Sequence, residues 1–200
     1  VPAAVPADTY AGQVLVPAEW RRTHPGPYTI TISVLVDDEW VTRFGADAQK
    51  QAYAIVAAAN QYFEPAAIKL RPALYAIWQS QDGASSLQQL LDQVDGSHHP
   101  SSADITVALT AQYSGPEGGI AHPDHRHIVV KHHPYRPDHD AFVLAHEIGH
   151  ALGLSHHHCP HEYCLMSDHA YDPRQHWCPD HYRLLEENGG YFQYLSSLSA

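Results

Sequence analysis

Along residues 29–36 hydrophobic and polar positions alternate, and Ile30, Ile32, Val34 and Val36 share one face, which predicts a strand. Over residues 46–63 the spacing becomes helical. Ala48, Ala52, Ile55, Val56, Ala59, Tyr62 and Phe63 line one side of a long amphipathic helix. Ile68, Leu70 and Leu74 mark a second strand, and residues 85–94 a short helix. Residues 104–110 (DITVALT) form the unbroken apolar run of a buried parallel strand. A glycine-containing loop or edge strand follows at 115–122, then a strand at 127–131. Asp138 or Asp140 can cap a helix running to about Leu152, and a last helix spans about 180–188, ended by Gly189 and Gly190. The proline-rich residues 1–27 read as an extended arm. This order predicts a mixed α/β fold, with the helix ending near Leu152 packed beneath the sheet.

The chemistry concentrates at the end of that helix. His146-Glu147-Ile148-Gly149-His150-Ala151-Leu152-Gly153-Leu154-Ser155-His156 fits HExxHxxGxxH at every fixed position. Residues four apart lie on one helix face, so His146 and His150 can aim their rings at one metal ion. Glu147 projects close enough to take a proton from a water at that ion. Gly153 tolerates the left-handed backbone that ends a helix, and the reversal brings His156 back as a third ligand. Three protein ligands leave one position of a zinc ion open, the arrangement of a catalytic site.

Composition narrows the choices. Two hundred residues with 44% hydrophobic and 16% charged residues suit one catalytic domain with a real core. A net charge of -11 argues against a nucleic-acid partner, and no apolar run is long enough to span a membrane. A monomer is the expected state. The start at Val1, without methionine, favours an exported product over a cytoplasmic one. Asp37, Asp38 and the other carboxylates are expected to be solvated. The histidines at 122, 125, 127, 132, 133 and 139 are expected to be mostly exposed loop residues.

Met166, the only methionine, lies ten residues after His156. A helix-borne HExxHxxGxxH followed by a methionine resembles the metzincin clan of zinc endopeptidases. The resemblance implies a mostly parallel twisted sheet with an antiparallel edge strand, an active-site helix and a small C-terminal lobe. It implies His146, His150 and His156 as zinc ligands, Glu147 as general base and Met166 in the Met-turn beneath the metal. It also implies that Gly118, Gly119, Ile120 and Ala121 pair with an extended peptide or protein substrate, and that residues 167–173 wall the pocket after the cut. Tyr171 stands near where some metzincins supply a tyrosine to the reaction. Residues 1–27 become an arm, 28–156 a subdomain with the active helix, and 157–200 a C-terminal subdomain.

Cys159, Cys164, Cys178 and His181 make two close pairs that suit a closed tetrahedral zinc site. In this part the chain looks most like the archaemetzincins, whose catalytic motif is followed by four cysteines around a structural zinc. Here His181 stands where that family has its last cysteine. His157 and His158 also intervene before Cys159, and the gap from Cys164 to Cys178 is shorter. Two zinc ions, one catalytic and one structural, are implied. A disulfide involving Cys159 or Cys164, or three inert buried thiols, are the alternatives. A non-catalytic, histidine-rich metal-binding protein on the same fold is the rival reading of the whole.

Overall fold

The computed structural model describes residues 12–96, 103–112, 115–122, 126–156, 163–167 and 175–199. In chain order its first elements are α1 (Ala18–Thr23), β1 (Tyr28–Asp37), α2 (Asp38–Phe44), α3 (Ala48–Phe63), β2 (Ile68–Trp78) and α4 (Leu87–Gly96). These are followed by β3 (Ile105–Thr110), β4 (Gly119–Ala121), β5 (His127–Lys131), α5 (Pro137–Ala151), α6 (Pro179–Asn188) and α7 (Tyr191–Leu198). The five strands form one sheet in the order β2-β1-β3-β5-β4. All neighbours are parallel except β4, which runs antiparallel to β5 at the edge. The mixed, mostly parallel sheet expected from the sequence is therefore present.

Side-chain alternation decides what each face of the sheet touches. Val34 and Val36 of β1, Val107 and Leu109 of β3, and Ile128 and Val130 of β5 point one way. Against them pack α3, through Ala52, Val56, Ala59 and Phe63, and α5, through Ala141, Leu144, Ala145 and Ile148. The intervening Leu35, Ala108 and Val129 point the other way, onto Leu87, Leu90, Leu91 and Val94 of α4. Because both faces are covered, the middle of the sheet is buried throughout, and β3 and β5 carry mostly apolar side chains on both faces, as residues 104–110 already suggest. Each fully buried side chain of this kind contributes roughly 1.5–3 kcal/mol. Helix α5 thus lies on the sheet with α3 beside it.

Several expectations need correction. Residues 18–23 are helical rather than extended: Pro17 precedes the first turn, Glu19 lies in it, and Arg21 and Arg22 lie in the last. Asp37 is not solvated. Its buried carboxylate accepts from the Trp40 N–H (2.7 Å) and the Ala111 N–H (3.1 Å), so it caps α2 and ties β1 to the end of β3. Burial pushes its pKa up, against hydrogen bonds from Thr110, Trp40 and Ala111. Neither Asp138 nor Asp140 caps α5, which starts on Pro137 with Arg136 at the N-cap. Asp140 is buried and accepts instead from His132 Nδ1 (2.6 Å) and the His133 N–H (2.8 Å).

The C-terminal end closes onto the start of the chain. Gly189 and Gly190 separate α6 from α7, and a Cβ on either would fall 2.7 Å from the Tyr28 ring or 2.6 Å from the Trp20 ring. Asn188 is fully buried. It donates to the carbonyls of Gln13 (2.8 Å) and Leu152 (2.7 Å) and accepts from the Leu15 N–H (2.7 Å). The N-terminal segment is thereby strapped across the end of α5, where Gly12 also bridges to Leu154. No helix among the described residues is long and apolar enough to cross a membrane.

Candidate metal centre

Helix α5 ends in a hydrogen-bonded reversal. The Gly153 N–H reaches the His150 carbonyl (2.9 Å) and the Leu154 N–H the Gly149 carbonyl (3.0 Å), with Gly153 at φ +82°. A side chain at Gly153 would be strained by that backbone and would meet the Gln13 carbonyl at 2.9 Å. The turn carries His156 back over the helix. His156 Nε2 lies 2.8 Å from His146 Nε2 and 3.2 Å from His150 Nε2. Zinc–nitrogen bonds of about 2.0–2.1 Å in a tetrahedron separate the nitrogens by roughly 3.3 Å, so the three donors suit one zinc ion. His146 Nδ1 lies 2.8 Å from the Leu165 carbonyl and His150 Nδ1 2.9 Å from the Leu154 carbonyl. Those acceptors hold the ring proton on Nδ1 and leave each Nε2 lone pair for the metal.

Glu147 is buried, and burial pushes its pKa up to about 8. A dication nearby acts in the opposite sense, favouring the carboxylate. The edge strand lies directly over it. A Cβ on Gly119 would come 2.9 Å from Glu147 Oε1 and 2.6 Å from Val143. Gly118 precedes β4 and accepts the Lys131 N–H through its carbonyl (2.8 Å), whereas Gly119, Ile120 and Ala121 form the strand itself. Beneath the helix, Met166 is fully buried, and a Cβ on Gly149 would sit 2.9 Å from its sulfur. On the other flank a cavity of about 710 Å³ adjoins His150, lined in part by Gln13, Val14, Arg21, Arg183 and Glu187.

Comparison with known families decides what this constellation belongs to. A model of metallo-peptidase family M12 matches residues 26–192. The chain belongs to that family. No curated protein sequence matches it. Among solved structures, an archaemetzincin from Methanopyrus kandleri is similar, with a TM-score of 0.56 at 21% identity over 82% of this chain and 97% of the other. Metalloproteinase-II from Bacteroides fragilis is similar with a TM-score of 0.55 at 17% identity, over 80% of this chain and 53% of the other. A chaperone-substrate complex contains a chain with a TM-score of 0.62 at 16% identity, covering 84% of this chain and 35% of that one. The M12 chain thus spans about a third of one of these proteins and about half of another. At such identities the likeness is one of fold, a metzincin-like metallopeptidase fold.

A second donor cluster lies in the C-terminal part of this M12 chain. Cys164, Cys178 and His181 are fully buried, and His181 Nδ1 is 3.1 Å from Cys164 Sγ and 3.2 Å from Cys178 Sγ. Their donor atoms lie within 4.8 Å of one another, and both cysteines are free thiols. The Cys178 thiol is pushed up to about 12, first by its hydrogen bond with the Cys164 thiol and then by burial. A cation between the sulfurs reverses that preference, since a coordinated thiol is deprotonated. Two soft sulfurs and one imidazole suit a structural zinc. Cys159, the fourth expected ligand, lies outside the described residues, as do His157, His158, Tyr171 and residues 168–173 of the expected pocket wall.

Other residues matter that sequence spacing could not reveal. Trp177 packs under Gly149 beside Met166 and donates its indole N–H to the Tyr62 carbonyl (2.6 Å), fixing the floor of the site to α3. Only its position next to Cys178 hinted at a role. The clasp made by Asn188 gave no signal at all, because its partners lie as far as 175 residues away. His122, His127, His132, His133 and His139 are half-buried rather than exposed, and His125 lies outside the described residues. His132 stacks edge-on against Trp40 and Phe44, with ring centroids 5.4 and 5.2 Å away.

Proposed function

We propose that this metallopeptidase is a zinc-dependent endopeptidase in which Glu147 is the general base, with a second zinc held by Cys164, Cys178 and His181 together with Cys159. The reading is carried by one observation: three Nε2 atoms converge beside a buried carboxylate directly under the sheet's edge strand. His146, His150 and His156 would hold the catalytic ion. Bound there, zinc lowers the pKa of a water to about 7 and polarises the scissile carbonyl. Glu147 takes the proton of the attacking water and delivers it to the leaving amine. The walls of Val143 and β4 around Glu147 keep bulk solvent from competing for that proton.

Gly118, Gly119, Ile120 and Ala121 are proposed to bind the substrate as an added antiparallel strand, since β4 forms the sheet's edge. Glycine at 119 lets that strand lie against Glu147 without a side chain in the way. Met166, packed under Gly149, serves as the Met-turn floor that fixes the height of the helix. The proposal is tested by digesting a mixture of end-blocked peptides. Internal cuts that stop on chelation and return with zinc are the expected result. Uptake of many ions in loose stoichiometry, without cleavage, would instead support a histidine-rich metal-binding protein.

A further inference from the structure

We infer that His181 is a positioning residue for the three-histidine site: loading the Cys164/Cys178/His181 cluster fixes the Ser155 carbonyl, and through it His156. The inference rests on the two-zinc reading above. The two nitrogens of the His181 ring face different things. Nδ1 points at the sulfurs of Cys164 and Cys178, while Nε2 lies 3.1 Å from the carbonyl oxygen of Ser155. An ion on the sulfurs takes the Nδ1 lone pair, which places the ring proton on Nε2 and makes that nitrogen a donor to Ser155. Ser155 directly precedes His156, the one ligand of the three that no helix holds. His146 and His150 are fixed by α5; His156 is exposed and is carried by the backbone leading to it.

The buried end of this link is rigid. His181 sits in the first turn of α6 with no exposed surface, and Leu184 and Leu185 of the same helix are core residues. The ring therefore acts as a strut between the thiolate cluster and the loop that carries the third ligand. A cysteine at this position could complete the sulfur site but carries no second nitrogen to reach Ser155. Histidine, in place of the cysteine expected there from the archaemetzincin resemblance, thus gives this chain a contact that a four-cysteine site lacks.

His181→Cys separates the two roles. Cobalt(II) titration of metal-free wild type should give a thiolate charge-transfer band for the cluster and weaker d–d bands for the histidine site. In His181→Cys the charge-transfer band should persist, whereas affinity at the three histidines should fall on the order of tenfold, the low end for loss of an outer-shell contact. In zinc-loaded wild type, long-range ¹H–¹⁵N correlation should find the His181 proton on Nε2. Unchanged cobalt affinity at the three histidines in His181→Cys, or a proton on Nδ1 in wild type, would overturn the inference. Wild-type protein that binds no ion at the three histidines would instead sink the proposed function itself.

Discussion

The two donor clusters of this molecule are built in opposite ways. The three histidines come from one continuous stretch, on a helix face and the turn after it, and His150 lines a cavity. The Cys164, Cys178 and His181 cluster is assembled from a loop, the N-cap of α6 and the helix's first turn, and it is fully buried. The first takes its spacing from helix periodicity and one glycine, with the Leu165 carbonyl steadying His146. The second needs the core around it to be in place before its donors can meet. The more exposed cluster is prefabricated locally, while the buried one is closed by the tertiary fold.

Removing a ligand from the local site should hurt chemistry far more than stability. His150→Ala is expected to lower peptide hydrolysis on the order of 10³-fold or more, because both water activation and carbonyl polarisation depend on the ion. Metal analysis should show one ion lost and the ion at the cysteines retained. Loss of both ions would show that the clusters are not separate units.

Met166 sits between the two regions, under Gly149 and next to the loop of Cys164. Met166→Ala leaves a cavity there and should cost about 2–5 kcal/mol by denaturant unfolding, while Met166→Leu should cost less than about 1.5. Equal losses for the two variants would argue that the sulfur itself, rather than packing, supports the site.

The smallest effect is expected at Asp140, which lies in the first turn of α5 and belongs to neither cluster. Burial alone would raise its pKa, but hydrogen bonds from His132, His139 and the His133 backbone together hold it below the ordinary 3.8. A carboxyl depressed in the folded state adds stability above its unfolded pKa and loses it as pH falls through the folded one. Asp140→Asn should therefore lower stability at neutral pH and flatten its decline below about pH 4, where urea midpoints would be compared. A parallel decline in both proteins would remove Asp140 as an acid-sensitive strut.

What was legible in the chain follows the same division. The strands, α3, α5 and the three-histidine cluster repeat at short range, so spacing alone places them. Gly153 could be assigned its turn because only glycine readily takes that backbone. The helices of seven residues or so, α1, α2 and α7, carry too few turns for a periodic pattern. The cap expected of Asp138 or Asp140 failed because Pro137 already starts the helix and Asp140 found partners in His132 and His133. Asp37 was misread as solvated because its partner Ala111 lies 74 residues away. Asn188 and Trp177 support the site through contacts that no local spacing encodes.

In the function proposed above, one buried carboxylate does the proton work beside an ion held by three imidazoles. This is tested most directly by measuring zinc content and peptide hydrolysis on the same samples of wild type and Glu147→Ala. Zinc content should be equal in the two proteins, with hydrolysis lower by about 10²–10⁴-fold in the variant, the range for loss of a positioned general base. Full zinc together with undiminished hydrolysis in Glu147→Ala would contradict it.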